Sequence, residues 1–231
     1  MLILSLDTTT PAGSAAVLRD GQLLVERAGD PARTHGARLP HELIAVLEAA
    51  GARLADVDRL AVASGPGSFT GLRVGIATMQ ALALARGRQV VPVPALEALA
   101  WPLRHGSSLV APWMDARRGE VFAALYDPET RALLHGPSAL SPERTLDAWR
   151  DEPSIPHAAR ITFVGDGALR YRGLLERRLG DGAAIVPEVP LLAGAIAEIA
   201  YAMADRAVNP HAIVPLYVRR PDAELARERR R

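Results

Sequence analysis

The 231-residue chain has no cysteine. Disulfides, thiolate nucleophiles and cysteine-ligated zinc are therefore excluded. Lysine is missing as well, and all 27 basic side chains are arginine. A Walker-type phosphate loop closes on a lysine, and Schiff-base chemistry uses a lysine amine, so neither is available. No charge-free run of about 18 apolar residues occurs, which argues against a helical membrane span. No basic stretch followed by a long apolar one opens the chain, so no signal peptide is expected and a cytoplasmic location is. Nor is there a histidine pair at the i,i+4 spacing of a helical metal site: His35 and His41 come nearest, and no metal role is expected.

What is present is a core-forming chain with little net charge. Hydrophobic residues make up 49%, and the formal net charge is +1, so any contact with nucleic acid would be local. Residues 3–6 form a continuous apolar run ending in Asp7-Thr8-Thr9-Thr10. Continuous apolarity predicts a central strand covered on both faces. Strands are predicted at 14–18 and 23–26, joined by Asp20-Gly21, a hairpin pair whose residues both adopt positive φ. A helix follows at 37–50, with Leu39, Leu43, Val46, Leu47 and Ala50 on one face and Pro40 in its first turn. A strand at 60–63 then runs into Ser64-Gly65-Pro66-Gly67-Ser68-Phe69-Thr70-Gly71 and a helix at 72–86, for which Thr70 is a candidate N-cap. Leu72, Ile76, Met79 and Ala83 share a face of that helix, and Gly75 leaves room for a close neighbour. A strand at 90–93 and a short helix at 94–100 complete a first half.

The polar stretch 102–108 separates the halves, giving expected domains at 1–104 and 105–231. The second half repeats the order. Strands are predicted at 109–114, 121–126 and 132–134, a helix at 143–150, a loop at 151–159, and a strand at 161–164. Gly165-Asp166-Gly167 then feeds a helix at 168–179, and a last helix covers 191–205. Residues 215–219 read as extended, and the charged end 224–231 as frayed. Two such α/β halves have the layout of the actin-like ATPases: a two-lobed fold with duplicated mixed-sheet subdomains. A hairpin after the first strand argues against a dinucleotide fold, which wants its glycine loop there.

Several residues are candidates for chemistry. At the end of a central strand, Asp7 is suited to holding magnesium through waters while Thr8 or Thr9 meets phosphate; equally, all three are suited to capping a turn. The glycine loop 64–71 offers either amides to an anion or close backbone packing. Gly165, Asp166 and Gly167 form a shorter version, which reads as a contact to a ribose or phosphate or as a tight turn. Arg117 and Arg118 are too long to cradle a nucleotide but could grip an outside phosphate.

The opening Leu4-Ser5-Leu6-Asp7-Thr8-Thr9, the stretch from Ala63 through Gly65-Pro66-Gly67-Ser68-Phe69-Thr70-Gly71 to Gly75, Pro92-Val93-Pro94-Ala95-Leu96-Glu97-Ala98-Leu99, the segment Pro112 to Val121, and Pro215-Leu216-Tyr217-Val218-Arg219 together resemble the bacterial TsaB (YeaZ) family. The resemblance spans nearly the whole chain. It implies a non-catalytic paralogue of TsaD, the subunit that moves a threonylcarbamoyl group from threonylcarbamoyl-AMP to N6 of adenosine 37 in tRNAs reading codons that begin with A. It also implies TsaD as the dimerisation partner, with TsaE binding enabled and tRNA reached through the complex. No tightly bound cofactor is implied for the chain alone, ATP or ADP belonging to the complex, and a homodimer of the isolated chain is compatible with the family. TsaD holds its metal with His-x-x-x-His after the strand matching 90–93. The matching positions here are Ala95 and Leu99, which cannot ligate a metal. The family pairs its two first-domain helices with their counterparts, which gives Arg38, Leu39, Leu43, Val46, Arg73, Ile76, Met79 and Ala83 as expected interface residues. Arg117, Arg118 and the tail 227–231 are expected either to touch tRNA phosphate or to form a solvated surface. The alternative function is a stand-alone Mg-ATP-dependent small-molecule kinase of the same fold, motivated by Asp7 and Gly165-Asp166-Gly167.

Overall fold

A computed structural model of the chain describes residues 1–156 and 159–219. It divides into two compact units, one of Met1–Ala98 with Leu191–Leu216, the other of Leu99–Pro190 with residues 217–219. The expected fraying of 224–231 and the RNA contact of 227–231 lie outside the described residues.

In the first unit, β1 (Leu2–Asp7), β2 (Ser14–Arg19), β3 (Gln22–Ala28), β4 (Arg59–Gly65) and β5 (Val90–Pro94) form one sheet in the order β3-β2-β1-β4-β5. β1 pairs antiparallel with β2 and parallel with β4. Asp20 and Gly21, at φ 50° and 84°, make the expected hairpin turn, with Arg19 opposite Gln22. β1 is buried along its whole length because both faces are covered. Leu2, Leu4 and Leu6 join the core built with α1 (His35–Ala49) and α2 (Phe69–Arg86). On the alternate face, the Ser5 hydroxyl donates to the Ala193 carbonyl at 2.6 Å.

Ala193 opens a helix, numbered α7 below (Ala193–Ala202), which packs on β1 and β2. The expected split at 104/105 places this segment in the second half, whereas it belongs to the first unit. Its own bonds explain why it returns: the Ala193 amide donates to Ser14 Oγ at 3.0 Å and the Gly194 amide to Glu26 at 2.6 Å. Side chains of the first sheet thus satisfy helix-start amides that α7 cannot pair internally.

The second unit repeats the topology. Its sheet holds β6 (Leu109–Arg117), β7 (Glu120–Tyr126), β8 (Leu133–Leu140), β9 (Ile161–Val164) and β10 (Ala183–Ile185), in the order β10-β9-β6-β7-β8. β6 occupies the place of β1, antiparallel to β7 and parallel to β9. The duplicated mixed-sheet architecture read from the sequence is the one observed. α3 (Ala95–Ala100) lies where the chain leaves the first unit. α4 (Pro142–Arg150), α5 (Asp166–Arg170) and α6 (Arg172–Leu179) belong to the second. The core there is aromatic: Trp113 meets Phe163 edge-on at 5.3 Å and Trp149 at 5.9 Å.

Several boundaries differ from the sequence reading, each for a local reason. α2 starts at Phe69 rather than 72, because Ser68, not Thr70, is the cap: its hydroxyl accepts the Gly71 amide at 3.2 Å. α1 starts at His35, which puts Pro40 in its second turn; bonds from His35 and Arg38 to the 10–12 turn anchor the early start. The helix expected at 168–179 starts at Asp166 and breaks at Tyr171, where φ is −107°. β10 is three residues long, too short to carry a periodic signal.

Candidate functional site

The turn that leaves β1 is built to close on itself. Asp7 Oδ1 accepts both the Thr9 amide, at 2.8 Å, and the Thr9 hydroxyl, at 2.7 Å. Burial pushes the Asp7 carboxyl above its ordinary range; the Thr9 bonds oppose this and the nearby Glu26 charge adds to it. The glycine loop after β4 is seated on the same turn. The Ser68 amide donates to the Thr9 carbonyl at 2.8 Å. A methyl group at Gly67 would collide with Thr9, at Gly71 with the Thr8 carbonyl, and at Gly75 with Thr8 Oγ1. These glycines are spaces filled by the threonines. The hydrogen bonds of Asp7 and Thr9 are those of a capped turn, while Thr8 Oγ1 is buried without a hydrogen-bond partner.

The first turns of α1 hold the far side of this loop. Arg38 is buried, and its Nη1 reaches both Glu42 oxygens, at 2.7 and 2.5 Å. Its Nη2 reaches the Pro11 carbonyl at 3.0 Å, the Ala12 carbonyl, and His35 Nδ1 at 2.7 Å. A guanidinium only donates, so His35 Nδ1 accepts, and Nε2 carries the hydrogen donated to the Thr10 carbonyl at 3.1 Å. Burial, with the Arg38 charge second, holds the His35 ring below its ordinary pKa. Arg38, expected at a partner interface, is thus occupied within its own unit.

In the second unit, Asp166 Oδ1 accepts the amides of Asp115 and Gly167, both at 2.9 Å. Methyl groups at Gly165 or Gly167 would run into the backbone of Trp113 and Met114. Gly165-Asp166-Gly167 therefore binds the turn after β9 to the end of β6, the tight-turn reading of that motif. Ala95 and Leu99 are buried apolar positions, with Leu99 packed against Gly165. Among the described residues, no group of three or more potential ligands is placed to hold a metal ion, and no helix is long and apolar enough to cross a membrane.

The helices α1 and α2 touch each other and cover one face of the first sheet. Leu39, Leu43, Val46, Ile76, Met79 and Ala83, expected at an interface, are all buried in the core of their own unit; of the eight expected residues, Arg73 alone is exposed. The outward positions of α2 are Thr70, Arg73, Ala77, Ala81 and Leu84, a stripe at helical spacing. Leu84 is 49% exposed, Phe69 at the helix start 37%, and Ile44 on α1 56%. The Arg73 guanidinium lies over the Phe69 ring at 3.9 Å. The reading from sequence missed this outward set; its signal was apolar residues, Ile44 and Leu84, immediately beside the core positions Leu43 and Ala83.

The family model described as "TsaD: tRNA N6-adenosine threonylcarbamoyltransferase" matches residues 29–226. An uncharacterized protein of Mycobacterium tuberculosis is 35% identical, over 96% of this chain and 93% of its own length. The tRNA threonylcarbamoyladenosine biosynthesis protein TsaB of Haemophilus influenzae is 30% identical, over 95% and 94%. The solved structure of YeaZ from Pseudomonas aeruginosa matches with a TM-score of 0.75 at 30% identity, covering 94% of this chain and 99% of that one. The chain belongs to the TsaB (YeaZ) family, the non-catalytic paralogues of TsaD in the tRNA threonylcarbamoyladenosine pathway.

Proposed function

We propose that the chain is the scaffold subunit of a threonylcarbamoyl-transferring complex, acting by dimerising with a TsaD partner through the outward face of α1 and α2. The observation that carries this is the exposed stripe on α2. A helix with Met79 and Ala83 packed inward and Ala77, Ala81 and Leu84 outward has two apolar faces and one sheet to cover. Small outward residues allow a second helix to approach closely. Arg73 stays in the proposed interface, and Ile44, Phe69 and Leu84 replace the core residues expected there. TsaE joins the assembled pair, tRNA is engaged through the complex, and any nucleotide is bound at the level of the complex. A second copy using the same face would give a homodimer when the partner is missing. The stand-alone kinase alternative finds no support in a β1 turn closed by its own threonines.

The test is reconstitution. The purified chain with tRNA and threonylcarbamoyl-AMP should transfer nothing, and transfer should appear when TsaD and TsaE are added with ATP. Transfer by TsaD and TsaE at the same rate without this chain would refute the scaffold role.

A further inference from the structure

The end of β6 in the second unit occupies the topological place of the end of β1 in the first, but it is furnished in the opposite way. Where Thr8 and Thr9 fold back to seal the first turn, Ala116, Arg117 and Arg118 project a hairpin tip. Arg117, Arg118 and Gly119 take three consecutive positive φ values of 62°, 58° and 78°. Glycine adopts this backbone freely, and arginine only at a conformational cost. Two arginines are thus held where the backbone prefers other residues.

Neighbouring groups fix the tip. The Arg117 amide donates to Asp115 Oδ1 at 3.0 Å. The guanidiniums of Arg117 and Arg170 both approach Asp115 Oδ2, at 3.3 and 3.4 Å. Arg219 reaches the Ala116 carbonyl and Glu120, both at 3.0 Å. The Asp115 side chain is 8% exposed, whereas those of Arg117 and Arg170 are 71% and 57% exposed. One nearly buried carboxylate therefore gathers two outward guanidiniums, each with five donors in a planar fork. Over the cluster, Arg117, Arg118, Arg170 and Arg219 outnumber Asp115, Glu120 and Asp166 by four to three. Asp166 spends one oxygen on two amides. All of this lies at the carboxyl ends of the parallel pair β6 and β9, the end where open α/β sheets take their ligands.

We propose that Arg117 and Arg170, set by Asp115, form a phosphate-binding fork for the backbone of an RNA strand. The chemistry recognised is a phosphodiester, and exposure on an open surface suits a polymer better than a small anion. The choice of RNA rests on the role proposed above. The fork is built wholly from residues of the second unit and the α1–α2 face wholly from residues of the first, so the two can fail independently.

The experiment measures binding of a tRNA transcript to the full chain alone, by fluorescence anisotropy from about 20 to 200 mM salt. Replacing both arginines (R117A/R170A) should weaken binding roughly tenfold at the low-salt end. It should also flatten the plot of log affinity against log salt by about 1.4–1.8, two phosphate contacts' worth. R117K/R170K keeps the charges and should keep the slope while recovering part of the affinity. R19A/R27A removes two exposed arginines of the first unit and should leave both readouts within about twofold. No binding by the unaltered chain at the lowest salt overturns the proposal, as do equal losses in the hairpin and control variants. A loss of ATP or inorganic triphosphate binding without a loss of tRNA binding would assign the fork to a small anion and overturn it too.

Discussion

Gly75 sits in α2 with no room for a methyl group, because Thr8 Oγ1 occupies that space. Replacing it with alanine would ordinarily strengthen a helix by up to about 1 kcal/mol. Here overpacking should win, and Gly75→Ala should lower unfolding stability by about 1–3 kcal/mol in urea. Arg38→Ala leaves the partly exposed Glu42 without its partner and releases the Pro11 and Ala12 carbonyls, and should cost about 1–3 kcal/mol. The pH dependence follows from Asp7 and His35. Burial raises the folded Asp7 pKa, so between the unfolded value and the raised one the folded chain binds more protons, and stability falls as pH rises. Asp7→Asn removes this term and keeps an oxygen for Thr9. The variant's stability relative to the parent should therefore grow as pH rises from about 4 and then level off. His35 works in the other sense. Its folded pKa is depressed, so stability is lost as pH falls below about 6.5 toward the folded value. Denaturant titrations of the His35→Gln variant and the parent across that window would show it. The glycines from Gly65 to Gly75 announced a close approach in the sequence. That the approaching group is Thr8 and Thr9, rather than a phosphate, was not legible, because both partners satisfy the same small-residue pattern.

At the scale of the element, α2 shows what periodicity gives and withholds. The face made by Leu72, Ile76, Met79 and Ala83 was readable: all four are buried, the last three in the core of the first unit. Its assignment to a partner failed because the opposite face, with Ala77, Ala81 and Leu84, is nearly as apolar, so polarity does not rotate the helix. The two faces predict opposite behaviour on substitution. Leu84→Asp places a charge on exposed surface and should change the stability of the lone chain by no more than about 0.5 kcal/mol. Met79→Ala opens a hole among Leu39, Val46 and Ile76 and should cost about 2–5 kcal/mol. Thermal or urea melts of the two variants distinguish them. The Asp20-Gly21 hairpin needed no tertiary context, because turn chemistry alone sets its φ values. α7 was legible as a helix but not by address, since its place on the first sheet depends on Ser5, Ser14 and Glu26, more than 160 residues away in the chain.

For the whole molecule, the same five-strand order occurs twice, and the sequence showed that duplication through its repeated succession of hairpin, helix, strand and glycine turn. The two copies differ in what ends their central strands. The first copy closes with a threonine and is clamped by Arg38, and the second ends in an arginine hairpin. On this account the molecule contributes a surface rather than a reaction. Light scattering coupled to gel filtration tests that most directly, using the chain mixed with TsaD and the double variant I44D/L84D mixed likewise. The unaltered chain should elute with TsaD as a one-to-one complex, while the variant, folded and equally stable, should elute apart from it. A variant that still co-elutes in full with TsaD would contradict the account.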